Sequence, residues 1–416
     1  MMSEDVVPDK YSPARRLLIL YLIGMTAMHV AALRELTPKM LAGYGDFSSF
    51  YTAGKLVKEG AAGSLYDSAV QLRIQQQFAP DVTIRHGPMP FVRPPFQALF
   101  FVPFAYLTYP VACSIWLVFN FLLLLAFPFI LPEHFRARTF TSKCLSGCLC
   151  LGIFPVAIAL INGQDSIIVL FILTLALSSM LRGKDVVGGI LLGLCLFKFH
   201  LIIPLALVFL VRGRYRLFVS FAAVALLFLL VSIALVGWHG VYLYPQYVMN
   251  LDRIAGAGVA APQYMPNLRA VLQAISGRPL AGYLRWGFSL LSAASLLAVA
   301  LIRRGDRGQA STAGAFGLAL VVILLTAYYS YCYDLTILLL PIFLSWKKMM
   351  APTLATLWKN LFLISMGLFL LSPLHWVLLL KTHSYYAFGV AILSLLCVSI
   401  WWALADSSYG HTEESV

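Results

Sequence analysis

The sequence predicts an all-α integral membrane protein with about twelve transmembrane helices and an extracytoplasmic first loop carrying amphipathic helices. Three observations lead there. The 416 residues are 61% hydrophobic and only 11% charged, whereas a soluble domain carries about 25% charge. The apolar residues form continuous runs, not the alternating pattern of a membrane barrel, and the mean hydropathy is +0.85. Lys and Arg fall in short clusters between those runs. The net charge of +13 therefore reads as membrane orientation and not as nucleic-acid binding.

Arg15-Arg16 precede an apolar run over 17–33. That run is long for a signal-peptide core, and Arg34-Glu35 is no small-residue cleavage site, so 16–33 reads as a retained signal anchor with its N-terminus in the cytoplasm. The loop 34–95 is then extracytoplasmic, with amphipathic helices at 47–59 and 64–78 that suit an interface plane. Residues 96–109 are short for a span, which takes about 20 residues. They read as a re-entrant or interfacial helix, or as a short full crossing. Residues 111–131 span, and Arg136, Arg138 and Lys143 follow on the cytoplasmic side.

Regular alternation follows. Spans at 144–161 and 166–181 flank Asn162-Gly163-Gln164-Asp165. The arms 186–197 and 201–211 flank Lys198-Phe199-His200. A dozen residues reach roughly 18 Å, short of the about 30 Å hydrocarbon core, so this tip is expected within membrane depth, lining a protein cavity. Residues 217–236 span next, and a second outer loop, 237–280, holds Trp238, Tyr244, Tyr247 and Arg269. Spans at 281–302, 312–327, 335–346, 355–372 and 385–404 complete the count and return the C-terminus to the cytoplasm. On this threading the basic clusters share one face. The polar-aromatic tips share the other: Asp46, Arg93, Gln164-Asp165, Lys198-His200, Arg269 and Asp334. That clustering implies one extracytoplasmic cavity.

Several residues carry candidate chemistry, each beside a plainer reading. Asp46 is either the N-cap of 47–59 or a general base within reach of an acceptor hydroxyl. Arg93, stiffened by Pro94-Pro95, is an interfacial anchor or a phosphate contact. Lys198 is an ionisable group at membrane depth, a functional site by default, and suits a lipid phosphate; the alternative is snorkelling. His200 is a structural histidine or a site residue. Asp165 and Asp334 are helix caps or site residues, and Arg269 binds phosphate or a surface. The seven cysteines show no zinc-like spacing, so no metal or cofactor is expected. Walker A, dinucleotide, HExxH and nucleophile-elbow motifs are absent, so an enzyme of this kind takes its energy from an activated membrane substrate.

The run Gly45-Asp46-Phe47-x-x-Phe50-Tyr51-x-Ala53-Gly54, then Gly60, Leu65-Tyr66-Asp67, Arg93-Pro94-Pro95-Phe96 and Pro103, resembles the opening of glycosyltransferase family 87. Asn162-Gly163-Gln164-Asp165, Gly193-Leu194-x-x-Phe197-Lys198-Phe199-His200 and Tyr331-x-Tyr333-Asp334-Leu335 resemble its later blocks. Phe199 departs from the pattern, which often has proline after the lysine. The resemblance implies a single GT-C-type helical domain over 1–416. It implies an inverting hexosyltransferase, mannosyltransferase-like, that uses a polyprenyl-phosphate sugar on the extracytoplasmic face of the cytoplasmic membrane. The acceptor would be a glycolipid or glycan. Asp46 takes the place of the family's catalytic aspartate. Lys198, Arg93, His200 and Arg269 would meet the donor phosphate, and Tyr51, Gln164, Asp165, Tyr331 and Asp334 are possible sugar or acceptor contacts. The rival reading is a transporter or flippase of a lipid-linked or anionic solute. It lacks support from internal repeats, none of which is visible.

Overall fold

The computed structural model describes residues 13–82, 88–132, 139–250, 262–277, 280, 282–351 and 354–405. Arg136, Arg138 and the middle of the expected second loop, 251–261, lie outside the described residues. Those described are helical, with no strand among them.

The first span is longer than expected: α1 is Pro13–Leu41 and runs past Arg34-Glu35. After it come the two helices expected in the first loop, α2 (Phe47–Lys58) and α3 (Ser68–Phe78). Asp67 caps α3, accepting from Ala69 N at 2.9 Å and Val70 N at 3.1 Å. Residues 96–109, read as a re-entrant or interfacial helix or else a short crossing, form α4 (Gln97–Phe101) and a 3-10 turn at Phe104–Tyr106. Five helical residues rise only about 8 Å, so α4 cannot cross a bilayer. It packs instead under α2, where a Cβ on Gly54 would lie 2.6 Å from Phe101 C.

Tyr109-Pro110 open α5 (Tyr109–Ile130), proline at a helix start being tolerated for its missing N–H. The expected span 144–161 is broken into α6 (Phe140–Cys150) and α7 (Phe154–Ile161), with Pro155 in the first turn of α7. Then come α8 (Ser166–Leu181), α9 (Asp185–Leu194) and α10 (Phe199–Val211), with a 3-10 turn at Leu196–Lys198 between the last two. The arms α9 and α10 fold back on each other. Asp185, at the start of α9, pairs with Arg214, just past the end of α10, at 2.7 Å. Lys198 stands at the far tip. Glycines on α9 allow close approach to α11 (Tyr215–Met249); a Cβ on Gly193 would sit 2.6 Å from Val224. Residues 238–249, expected in a loop, continue α11 beyond a kink at Gly237, whose φ is 70°.

The remaining helices are α12 (Leu268–Ser276), α13 (Gly282–Leu301), α14 (Gln309–Thr326), α15 (Leu339–Met349), α16 (Thr356–Leu370), α17 (Ser372–Leu380) and α18 (Tyr385–Ala405). α14 is the buried axis of the bundle, apolar all round, as a helix with no solvent or lipid face must be. α11 and α13 turn Leu226, Leu230, Leu290 and Leu297 outward, where only lipid suits them. Among the described residues, six helices are long and apolar enough to cross a membrane, or up to eight if the bent pairs α9–α10 and α16–α17 each count once. The count of twelve treated short arms and broken helices as full spans.

Candidate active site

The site begins where α2 docks on the turn 162–165. Gly163, at φ +65°, shapes that turn, and a Cβ there would strike Phe47 Cβ at 2.8 Å. Phe47 stacks on Trp116 with centroids 5.6 Å apart, and Trp116 Nε1 donates to Gly163 O at 2.8 Å. Phe47 N donates to Asn162 O at 3.3 Å. Asp46, one residue before α2, is thereby fixed beside Gln164. It occupies the N-cap position but makes no side-chain cap bond. Its Oδ2 instead accepts from Gln164 Nε2 at 2.5 Å.

Behind this pair lies a buried quartet of charges. Arg93 Nη2 is 2.9 Å from Asp165 Oδ1, and Lys198 Nζ is 3.1 Å from the same oxygen. Lys198 also pairs with Asp334 and donates to Ser166 Oγ at 2.7 Å. Ser166 donates to Asp334 Oδ1 at 3.0 Å, and Gln97 to Asp165 Oδ2 at 3.2 Å. Two cations face two carboxylates, so the cluster is neutral, as buried charge must be to be tolerable. Burial alone would raise the Asp165 carboxyl's pKa. The charges of Arg93 and then Lys198 outweigh that, and hold it below the usual carboxylate range. For Arg93, burial disfavours the cation, but Asp165 together with Asp334, Tyr333 and Tyr244 more than restores it.

Asp46, Gln164 and Arg93 open onto a cavity of about 860 Å³. His200, Tyr331 and Asp334 line it too, so six of the sequence-selected residues meet at one space. Four do not line it. Tyr51 is buried under α2 and donates to Leu107 O at 2.7 Å. Asp165 and Lys198 are enclosed in the quartet. Arg269 is fully buried, 3.8 Å from the Tyr328 ring and 4.6 Å from that of Tyr329, and donates to Tyr328 O at 2.7 Å. It backs two tyrosines that line the cavity.

Sequence reading missed Arg285, on α13. It lines the same cavity, donates to Met249 Sδ at 3.1 Å and lies 5.7 Å from the Tyr328 ring. The available signal was an arginine inside an apolar run. An apolar groove of about 420 Å³ between α10, α13 and α14 was also missed; Leu207, Val208, Leu296 and Ala300 line it. His200 and Tyr328 belong to both spaces, so groove and cavity adjoin there.

The family model for glycosyltransferase family 87 matches residues 91–329, more than half of the chain. The chain belongs to glycosyltransferase family 87. No curated protein matches it. As a family 87 member with several membrane-length apolar helices, it is a membrane glycosyltransferase, and its partners are a sugar donor, an acceptor and a bilayer. The stretch that matches family 87 carries Arg93, Gln164, Asp165, Lys198, His200, Arg269 and Arg285. Asp46, Tyr51, Tyr331 and Asp334 lie outside it, and the cavity joins three of these four to the matched part.

Proposed function

We propose that the protein moves a hexose, with mannose the leading candidate, from a polyprenyl-phosphate donor to an acceptor hydroxyl. The transfer inverts the anomeric centre and runs on the extracytoplasmic face of the cytoplasmic membrane, within a GT-C-type fold. The observation that carries this reading is the junction of two spaces. A polar cavity holding one uncapping carboxylate, Asp46, and two arginines, Arg93 and Arg285, adjoins an apolar groove at His200 and Tyr328. A substrate with a sugar phosphate head and an isoprenoid tail has the same division. The tail would lie along Leu207 and Leu296, the phosphate near Arg285 and His200, and the sugar toward Asp46.

Inversion takes one displacement. Asp46 accepts the proton of the acceptor hydroxyl; the hydroxyl oxygen bonds to the anomeric carbon; the bond from that carbon to the phosphate oxygen breaks. Polyprenyl phosphate leaves with the electron pair. Positive charge grows on the ring as in glycoside hydrolysis. The leaving group needs cations more than a protonating acid. Arg93, held by Asp165 and Gln164, is already oriented when charge develops, which is where electrostatic preorganisation acts. Lys198 contributes from behind: it neutralises Asp165 and Asp334, and so keeps the Arg93 side of the cavity from becoming acidic. Arg269 contributes through Tyr328.

The test is release of polyprenyl phosphate by purified protein in lipid, from a panel of polyprenyl-phosphate sugars, with membrane glycolipid extracts as acceptors. Loss of a general base costs about 10²–10⁴-fold, so Asp46→Asn should lose release to that extent. The product anomer, opposite to the donor's, reports inversion. Equal release by wild type and Asp46→Asn would remove Asp46 from the chemistry. No release from any donor, with every extract supplied, would overturn the donor class.

A further inference from the structure

Gln164 stands between the carboxylate of Asp46 and the guanidinium of Arg93. Its Nε2 donates to Asp46 Oδ2 at 2.5 Å, and its Oε1 accepts from Arg93 Nη2 at 3.4 Å. A guanidinium only donates and an ionised carboxylate only accepts, so the two neighbours fix which end of the amide faces which. The side chain is 4% exposed, and its backbone N donates to Ala159 O at 2.8 Å. The amide therefore has one orientation and little freedom to leave it. Arg93 meanwhile makes its shorter bond to Asp165 Oδ1, at 2.9 Å.

We propose that Gln164 is a positioning residue that orients the Asp46 carboxylate. The inference rests on the role proposed for Asp46 as base. A carboxylate acts as a base only when the lone pair it uses faces the hydroxyl it deprotonates, and a hydrogen bond to its other oxygen fixes that direction. The amide supplies such a bond to Oδ2. Asp165 holds the guanidinium that the amide oxygen meets, so the amide is itself held in place.

Tyr109 from α5, and Cys332 and Tyr333 from the turn before α15, interact electrostatically with Asp46, and Arg93 from the loop before α4 reaches it through Gln164. None of these types ordinarily titrates between about pH 4 and 8. His200 and His383 share the cavity lining, so assignment to Asp46 needs its own control.

The experiment is a pair of pH titrations on wild type, Gln164→Leu and Gln164→Glu in lipid. One follows polyprenyl phosphate release, the other the infrared carboxyl band assigned by its loss in Asp46→Asn. Gln164→Glu sets a second carboxylate beside the first, so the pair should share a proton and the acidic limb should move up by about 1 unit or more. Gln164→Leu removes the donor and should move the limb the same way by less, with kcat falling while KM for the donor holds. A packing role alone would lower the folded yield and leave the limb in place. Gln164→Glu keeps the size and the bond to Arg93, so it remains a test if Gln164→Leu does not fold. An Asp46 band titrating in Gln164→Glu as it does in wild type overturns the proposal. The band can be read without turnover, so absent sugar release would count against the functional reading and not against this pairing.

Discussion

Two clusters of buried cations stand at opposite ends of α8. Ser166, its first residue, belongs to the quartet of Arg93, Lys198, Asp165 and Asp334. Met180, near its other end, accepts from Arg214 at 3.5 Å. Beside Arg214, Arg212 donates to the carbonyls of Ala300, Ile302, Arg303 and Asp306 and to Ser311 Oγ, at 2.6–3.4 Å. Those carbonyls close the end of α13, where a helix leaves acceptors without intrahelical partners and favours a cation. Arg212 thus finishes a helix. The quartet does more than finish one: Asp334 caps the 3-10 helix Cys332–Leu338, accepting from Tyr331 N at 2.9 Å, and still holds Lys198 with its other oxygen. Its two cations meet two carboxylates, the four groups coming from four separate stretches of the chain, and its edge forms a cavity wall. Burial of a charge in a membrane protein is therefore not by itself a sign of function. The partner's identity and the presence of open space beside it make the distinction.

The strongest test of that contrast is Lys198→Met. Removing one member of a buried ion pair costs about 3–5 kcal/mol, because the partner charge stays behind. Thermal unfolding in detergent should fall sharply, and Lys198→Met with Asp334→Leu together should recover much of the loss, since the two sites couple. Equal stability in the single variant and wild type would break the comparison. Next comes Arg285→Gln. A hydrogen bond to a charged group is worth about 1.5–3 kcal/mol, so KM for a polyprenyl-phosphate sugar should rise about 10–100-fold with the melting temperature unchanged. An unchanged KM would move the phosphate away from α13. Smallest is Arg214→Gln at the far end. The pair with Asp185 is partly exposed and should be worth about 1 kcal/mol or less, with no change in transfer rate. A large loss of transfer there would show that the two ends of α8 are coupled.

Much of this was legible in the chain and some was not, for physical reasons. The spans α5 and α18 are uninterrupted apolar runs, α13 is interrupted by a single charge at Arg285, and all three read directly. The break between α6 and α7 was marked by Gly152 and Pro155 alone, since no charged residue interrupts 144–161. The extension of α11 was hidden because Gly237 ends most helices that contain it in a turn, and here it kinks one instead. An unusual lysine at 198 is visible in any hydropathy reading. Its partner Asp334 lies 136 positions away, and nothing local identifies that pairing. Arg285 lay inside a run already assigned as a span. The convergence of Asp46, Arg93, Gln164 and Asp334 followed from loop alternation alone, because tips on one face of a bundle have few other places to go.

Gly163 has a consequence for how this chain tolerates change. It bears no side chain, yet a single added carbon there would meet a phenylalanine methylene and wedge α2 off the turn that holds Gln164. The backbone angle forbids that carbon as well. A mutation of the mildest chemical kind would thus part the carboxylate from its amide without touching either. The aromatic packing around it can drift by compensating swaps of bulk; position 163 has no substitute to offer, and inheritance of the site entails inheritance of a missing side chain.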